Sequence, residues 1–384
     1  MWVYSGKITL KKLLGERIFY RDLNPVDPLL PRFSDILRET GLEMSFAPRK
    51  TSTHYARIIL QFLRRSAPAW PKQILFFGDT PGNDGAVVQN LSRLSGVRVF
   101  GFIGRDAQNQ PPRLETRPPL FLANRWELIV RFFEELLTEG LDLRAPTAVF
   151  FDMDKTLLGA RGRNDAQIDA ARMDGVRNLI QQTVADRWKE EQFFFIYKTL
   201  NQPEYHFLTE DNQDYLAFIC LMIMAGVWNF DELLHLLIQQ KITSFGDFLN
   251  RTGTRILQSA DAPVQNYFEE VLSGTAAGDP TPFKSFRYKE YEATLARIDR
   301  TDSTDPAILI DQEILLTQEL VELITLLKQI PNVAPFFCIS DKPPESTFPP
   351  PLKKDRAALP LHDVPIKIVG TTVAAKLRRL FSLS

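Results

Sequence analysis

Between residues 42 and 103, apolar runs typical of strands alternate with amphipathic segments typical of helices. The pattern predicts helices over 28–40, 53–65 and 84–94, with Gly41 ending the first. It predicts strands over 42–48, 74–78 and 97–103. The run "ILFFG" at 74–78 lacks polar alternation, which is typical of a strand buried on both faces. This part of the chain therefore indicates an α/β fold with a parallel sheet.

The rest of the chain changes character twice. "QNQPPRLETRPPL" (108–120) is typical of a surface connection, and a periodic helix over 126–140 leads into the strand "TAVFFD" (147–152). Helical patterns then dominate, most clearly over 211–225, 230–240 and 311–330. Strand patterns return at 333–340 and at "IKIVG", before a closing helix. We predict an α/β core formed by residues 1–160 and 331–384, interrupted by a helical domain of residues 161–330.

Composition narrows the class of protein. A chain of 384 residues with a formal net charge of −1 lacks the basic surface that nucleic-acid binding needs, so we expect no nucleic-acid partner. Cys220 and Cys338 lie in apolar runs and are expected to be buried thiols. The first residues lack a signal-peptide pattern, and the longest apolar run, 215–228, is short for a bilayer span. These features favour a cytoplasmic protein without a membrane partner.

Two aspartates end the central predicted strand. In "AVFFDMDKTLLG" Asp152 and Asp154 are two residues apart, so both side chains would point to one side of the strand. The carboxyl ends of strands are where open α/β sheets bind ligands. Two adjacent carboxylates repel each other unless a cation lies between them or one is protonated. The pair suits Mg²⁺ and a division of labour between a nucleophile and a proton carrier, although a solvated turn would have the same sequence.

A second strand also ends in a carboxylate. "ILFFGDTPGND" places Asp79 after the run 74–78, with Asp84 five residues further on. Gly78, Pro81 and Gly82 indicate a tight loop between them. Asp84 lies where a helix begins, and capping of that helix is the alternative interpretation of this residue. Two such strand ends in one chain favour a shared acidic site.

These segments resemble the haloacid dehalogenase (HAD) superfamily. "FFDMDKTL" is similar to its DxDx[TV] signature, and "FFGDTPGND" is similar to its acidic GDxxxxD motif. "FFCIS" offers Ser340 as the family's Ser/Thr, and "FAPRKTSTHYARIIL" offers Lys50 as its lysine. The resemblance covers 40–105, 147–158 and 333–341. It implies a Rossmann-like, doubly wound parallel sheet, with residues 161–330 as a large helical cap that covers the site and selects the substrate.

The order of the motifs departs from the family. The usual order is the aspartate pair, the Ser/Thr, the lysine and the acidic motif, whereas Lys50 and the acidic motif come first here. The arrangement resembles a circular permutation in which the helix at 126–140 joins the original ends. Permutation preserves a site because geometry, and not chain order, makes a catalytic constellation. The strand-like "RIFY" (17–20) is a rival for the Ser/Thr strand, but no hydroxyl follows it.

The resemblance assigns roles to six residues. Asp152 is the expected nucleophile on phosphorus, and Asp154 is the expected acid and base. Mg²⁺ would be held by Asp152, the backbone carbonyl of Asp154, and Asp79, with Asp84 contributing directly or through water. Ser340 would hydrogen-bond a phosphoryl oxygen, and Lys50 would supply positive charge. We expect Thr156 to brace the loop.

Three basic residues near the motifs have competing interpretations. Lys342, in "SDKPP", competes with Lys50 for the role of the family's lysine. Arg161 and Arg163, in "GARGRND", lie in a position to meet a charged substrate, but a solvated loop is the favoured interpretation for both.

The expected activity is a Mg²⁺-dependent phosphatase acting on a small phosphorylated metabolite through an aspartyl-phosphate. Asp154 favours phosphoryl chemistry over dehalogenation, because a halide leaving group needs no proton. The alternative is a non-catalytic or regulatory HAD-like protein that binds a partner through its helical domain. Phosphomutase or phosphonate chemistry is a third, smaller possibility. The sequence indicates neither the natural substrate nor the oligomeric state.

Overall fold

A computed structural model describes residues 1–67, 69–259, 261–351 and 359–382 of the chain. These residues form two compact units. The first contains Met1–Ala170, Thr294–Phe348 and the described residues after 354. The second contains Ala171–Ala293 and residues 349–351. The helical domain expected from the sequence, 161–330, is wider than the second unit, because residues 161–170 and 294–330 belong to the first.

The first unit contains the strands found among the described residues. They are β1 (Val3–Ile8), β2 (Ile18–Phe19), β3 (Gln73–Gly78), β4 (Arg98–Gly104), β5 (Leu114–Arg117), β6 (Leu120–Ala123), β7 (Thr147–Asp152), β8 (Leu316–Thr317), β9 (Val333–Ile339) and β10 (Ile366–Gly370). Its helices are α1 (Leu10–Leu14), α2 (Phe33–Thr40), α3 (Thr53–Ser66), α4 (Asp84–Leu94), α5 (Ile129–Thr138), the first residues of α6 (Asp165–Val184), α14 (Pro306–Gln312), α15 (Gln318–Leu327) and α16 (Ala374–Leu380). Short 3₁₀ turns cover Trp126–Leu128, Pro344–Ser346 and Leu361–Asp363.

The larger sheet has the order β2-β9-β7-β3-β4-β6-β5. Its neighbouring strands are parallel except for β5, which pairs antiparallel with β6. The α/β class is therefore confirmed, with a mixed and mostly parallel sheet. The central strand β7 lies between β3 and β9, and these three strands all end at the same edge. Asp152 is opposite Ile339 in the pairing of β7 with β9.

Aromatic side chains fill both faces of this sheet. On one face, Phe150 stacks on Phe337 with ring centroids 4.8 Å apart, in a core that also contains the apolar side of α3. On the other face, Phe77 stacks on Phe151 at 5.0 Å and meets Phe132 of α5 edge-on. Two-sided burial explains why the strand sequences are continuously apolar, as the sequence predicts.

A smaller sheet of order β1-β10-β8 completes the first unit. In it β1 pairs antiparallel with β10, and β8 pairs parallel with β10. The segment before Lys50 and the segment after Ser340 are therefore joined by backbone hydrogen bonds.

The second unit is helical over the described residues. Its helices are the remainder of α6, α7 (Glu190–Leu200), α8 (His206–Thr209), α9 (Gln213–Met224), α10 (Phe230–Ile238), α11 (Phe245–Ser259), α12 (Ala262–Ala276) and α13 (Lys284–Leu295), the last two residues of which belong to the first unit, with 3₁₀ turns at Ala185–Arg187 and Pro203–Tyr205. Its apolar core surrounds α9, most of whose residues, including Cys220, are buried. Nowhere in the described parts of the chain is a helix both long and apolar enough to cross a bilayer.

Three predicted elements differ from the structure. The predicted strand at 42–48 is an irregular loop, because the side chain of Arg21 donates to the carbonyl oxygens of Ala47 and Pro48. The predicted surface connection at 108–120 contains β5, which forms a hairpin with β6. The predicted helix over 311–330 is divided by β8 into α14 and α15.

A buried arginine links three segments of the first unit. The Nε of Arg163 lies 2.7 Å from Asp106 Oδ2, and its terminal nitrogens lie 2.7 and 3.0 Å from the Glu319 oxygens. All three side chains are almost fully buried. Arg163 therefore belongs to the core, and the expected solvated loop is wrong for this residue. The loop after β4, the segment after β7 and α15 converge on this one cation.

We expect Arg163→Ala to lower the free energy of unfolding by about 3–5 kcal/mol, because it leaves two buried carboxylates without their cation. Arg65→Ala is the matched control. Arg65 pairs with Glu39 on the surface, and its loss should cost no more than about 1 kcal/mol. Urea unfolding followed by circular dichroism measures both values. Equal losses for the two variants would contradict a structural role for the Arg163 cluster.

Candidate functional site

Three buried carboxylates meet at the edge where β3 and β7 end. Asp152 is the last residue of β7, Asp79 follows β3, and Asp84 begins α4. One oxygen from each lies within 4.8 Å of the others, a grouping able to hold a metal ion. The structure therefore brings together the two acidic strand ends that the sequence predicts as one site.

Lys50 lies between two of these carboxylates. Its Nζ is 2.5 Å from Asp152 Oδ1 and 3.1 Å from Asp84 Oδ1, and its side chain is 3 % exposed. Burial alone would lower the pKa of Lys50, but the two aspartates raise it well above its ordinary value, so the amine stays charged. The turn that carries Lys50 precedes α3 and is held by a hydrogen bond from the Asn90 side chain to the Thr51 carbonyl.

Asp84 organises the loop that follows β3. Its Oδ2 accepts hydrogen bonds from the backbone N–H of Asp79 and of Thr80 and from the Thr80 hydroxyl, at 3.0–3.1 Å. Burial acts to raise the pKa of Asp84, but Lys50 and these hydrogen bonds outweigh it and the pKa is lowered. Gly78 makes the geometry possible, since a Cβ there would lie 2.6 Å from the Asp84 Cβ. Asp84 thus holds the acidic loop as well as facing Lys50, and it does not act as a simple helix cap.

Asp79 is paired with an arginine that the sequence interpretation places in solvent. The Arg161 Nε donates to Asp79 Oδ2, so the expected solvated loop is wrong for Arg161 as well. Burial and the neighbouring Asp84 nevertheless raise the pKa of Asp79 to about 7, against the effect of Arg161. Asp79 therefore exchanges its proton near neutral pH.

Asp152 is held at both oxygens. Lys50 contacts Oδ1, and the Thr156 hydroxyl donates to Oδ2 at 2.9 Å, so Thr156 braces the loop as expected. Burial raises the pKa of Asp152, and Asp84 and Asp79 add to this shift, while Lys50 opposes it. The carboxylate is therefore oriented, and its buried, acidic surroundings disfavour its ionised form.

The donor set fits a hard divalent cation. Asp79, Asp84 and Asp152 are contacted by the cations Lys50 and Arg161, so full ionisation would leave excess negative charge in a buried place. The raised pKa of Asp79 expresses this excess. A divalent cation bound by the carboxylate oxygens would take the place of the proton on Asp79 and lower the pKa of that residue. The arrangement can therefore hold a metal ion, and the donor atoms alone do not select which one.

Asp154 lies outside the group of three carboxylates. It follows the end of β7, in a turn whose next residue, Lys155, has a positive φ of 62°. Its Oδ2 is 3.4 Å from the Lys342 Nζ, while its buried Oδ1 has no hydrogen-bond partner among the described residues. Lys50 and Lys342, the two candidates for the family's lysine, therefore contact different aspartates. That the backbone carbonyl of Asp154 is a metal ligand stays a prediction.

Ser340 directly follows β9, the strand beside β7. It is one residue beyond Ile339, the partner of Asp152, and it is 1 % exposed. Its hydroxyl oxygen accepts the backbone N–H of Lys342 at 3.0 Å, which leaves the hydroxyl proton to donate elsewhere. "RIFY" contains β2, the edge strand on the far side of β9, and its residues are not part of the carboxylate group.

Comparisons of the chain with protein-family models, with curated proteins and with solved structures gave no match.

Gly78→Ala should displace Asp84, because the added methyl group would overlap its Cβ. We expect at least a tenfold loss of Mg²⁺ affinity, measured by isothermal titration calorimetry, together with a lower melting temperature. Gly82→Ala is the matched control in the same loop, since a Cβ there meets no atom within 4 Å. Wild-type affinity in Gly78→Ala would show that Asp84 does not need this close approach.

If the site binds a divalent cation, its affinity, probed with Mg²⁺, should fall as the pH falls through about 7, because the cation competes with the proton on Asp79. A group with a pKa of about 7 is mostly ionised at pH 8 and mostly protonated at pH 6, so the dissociation constant should rise about tenfold between them. Calorimetric titrations at pH 6, 7 and 8 measure this. Asp79→Asn should reduce the pH dependence. An affinity that is constant over this range would contradict the role given to Asp79.

Proposed function

We propose that this chain is a Mg²⁺-dependent phosphatase that hydrolyses a small phosphate monoester through an aspartyl-phosphate on Asp152. The observation that carries the proposal is the convergence of Lys50, Asp79, Asp84 and Asp152, which come from three separate segments of the chain. These are four of the six residues that the resemblance to the HAD superfamily assigns. Chance similarity of short motifs would not bring their side chains into contact.

The first chemical step would form the aspartyl-phosphate. Asp152 would attack phosphorus with a carboxylate oxygen, and the bond from phosphorus to the leaving oxygen would break. Asp154 would give its proton to that oxygen, so the product leaves as an alcohol. Contacts with Lys50 and Thr156 support this role for Asp152, because they orient its carboxylate.

The second step would release inorganic phosphate. Asp154 would take a proton from water as the water oxygen attacks phosphorus, and the bond to Asp152 would break. The Ser340 hydroxyl would donate to a phosphoryl oxygen, and the Lys50 ammonium would stabilise negative charge as it develops. Bound Mg²⁺, held by Asp152, Asp79 and Asp84, would supply the positive charge that lets an anionic nucleophile meet an anionic phosphate.

We also propose that the first unit is a HAD-like core with a permuted order of motifs. Three features support this. The strand that carries Asp152 lies between those that precede Asp79 and Ser340. The turn with Lys50 precedes a helix that packs on the same sheet. The strands nearest the two termini, β1 before Lys50 and β10 after Ser340, pair with each other, as expected if the chain has been opened between the Ser/Thr and the lysine segments. The helical residues Ala171–Ala293 lie between Asp152 and Ser340 in sequence, which is the family's position for a cap.

A panel of phosphate monoesters, assayed with Mg²⁺ and with EDTA, tests the function. Wild type should release phosphate only with Mg²⁺, Asp152→Asn should be inactive, and Asp154→Asn should lose about 10²–10⁴-fold in kcat. Asp231→Asn, a matched change on an exposed residue of α10, should keep wild-type activity. Equal inertness of wild type and Asp152→Asn would instead favour the non-catalytic alternative, in which the helical domain binds a partner.

A further inference from the structure

A cavity of about 390 Å³ adjoins the carboxylate cluster within the first unit. Its lining includes Asp79, Ile103, Arg105, Arg113, Leu122 and Arg161. Cavities of this volume are at the lower end of the range for small-molecule binding sites. The volume exceeds what a phosphoryl group alone requires, so the cavity can receive the remainder of a small ligand.

The cavity lies at the same edge of the sheet as the carboxylates. Asp79 follows β3, Ile103 is near the end of β4, and Leu122 is near the end of β6. Asp79 and Arg161 belong both to the cluster and to the cavity lining. A ligand whose phosphoryl group is at Asp152 would therefore extend over Asp79 toward the ends of β4 and β6.

Hydrogen bonds hold the polar wall of the cavity in place. The buried side chain of Arg125 donates to the carbonyl oxygens of Ala107 and Gln110 in the loop after β4. The Asn124 side chain accepts the backbone N–H of Arg113 at 2.6 Å. The side chains of Asn124 and Arg125 thus hold the loop between β4 and β5 in place, so the backbone that carries Arg105 and Arg113 is ordered.

The charges of this wall do not cancel. Arg161 is paired with Asp79, and Glu115 is paired with Arg117. Arg113 is 3.9 Å from Glu115, the outer limit of an ion pair, and its side chain is 74 % exposed. For Arg105 the described residues provide no ion pair or side-chain hydrogen bond, although it lines the cavity. The cavity therefore offers the Arg105 guanidinium without an ion pair, and the weakly paired Arg113, beside the apolar Ile103 and Leu122.

We infer that this cavity binds the leaving-group part of the substrate, and that this part carries a second anionic group, a carboxylate or a phosphate, which pairs with Arg105 and Arg113. The inference rests on the proposed phosphatase function and adds the class of substrate. A guanidinium matches both anions through two parallel N–H donors. The apolar side of the cavity would contact the carbon skeleton between the two anionic groups.

Two matched substrate pairs test the inference and separate the two sources of charge. 3-Phosphoglycerate and glycerol 3-phosphate differ by a carboxylate, and fructose 1,6-bisphosphate and fructose 6-phosphate differ by a phosphate. With Mg²⁺, kcat/KM should favour the member with the additional anionic group by about tenfold or more in at least one pair. Arg105→Gln should reduce that ratio about tenfold through KM, and Arg105→Lys should restore part of it. Arg131→Gln, a surface arginine paired with Glu135, should leave the ratio unchanged.

The outcomes distinguish failure of the pocket from failure of the enzyme. Hydrolysis of all four esters with equal kcat/KM, or the same preference in Arg105→Gln, would overturn the inference and leave the phosphatase proposal standing. No hydrolysis of any ester would count against the phosphatase. In that case calorimetric titration of Asp152→Asn with 3-phosphoglycerate, with Mg²⁺ present, tests whether the cavity binds the second anionic group. Binding that falls about tenfold on adding Arg105→Gln supports it, and binding that is absent or independent of Arg105 overturns it.

Discussion

Burial of the Lys50 ammonium between Asp84 and Asp152 is the interaction on which the candidate site depends. The two carboxylates end up side by side because they follow neighbouring parallel strands, and without a cation they would repel each other in a medium that solvates charge poorly. Lys50 reduces that repulsion but does not remove it, since Asp79 adds a third carboxylate. The site therefore keeps an affinity for positive charge that Lys50 and Arg161 do not satisfy, and a proton on Asp79 or a bound cation satisfies it.

Two arginines, two residues apart, stabilise different parts of the first unit. Arg161 reaches Asp79 at the candidate site, whereas Arg163 points into the core, to Asp106 and Glu319. Gly162 between them has a φ of +77°, and a Cβ there would lie 2.0 Å from the Asp106 carbonyl oxygen. Only glycine allows the chain to pass this close to the loop after β4. The same turn thus links the acidic cluster to the packing of the smaller sheet, where Arg163 also donates to the Val369 carbonyl.

Sequence patterns predict those features of the fold that depend on local burial. The strands β3, β7 and β9 are buried on both faces, so their apolar runs identify them, and the charged residues after β3 and β7 identify an acidic site. Local sequence patterns do not predict features that depend on residues far away in the chain. The segment 42–48 alternates like a strand but is held as a loop by Arg21. Arg161 and Arg163 resemble solvent-exposed residues because their partners lie 57–156 residues away. The prolines around β5 conceal an edge hairpin, where proline is tolerated.

The position of the aspartate pair in the middle of the chain follows from sheet topology. In a parallel sheet, the order of the strands in space decides which loops meet. Here β3 and β4 precede β7 in the chain, and the connection through α5 returns the chain so that β7 pairs directly with β3. Lys50, Asp79 and Asp152 therefore form one cluster although about a hundred residues separate the first from the last. The same topology brings the ends of β4 and β6 to this edge, so the cavity with Arg105 shares Asp79 with the carboxylate cluster. Chain order does not decide such a site, because its contacts join side chains that the sheet brings to one edge from separate segments of the chain.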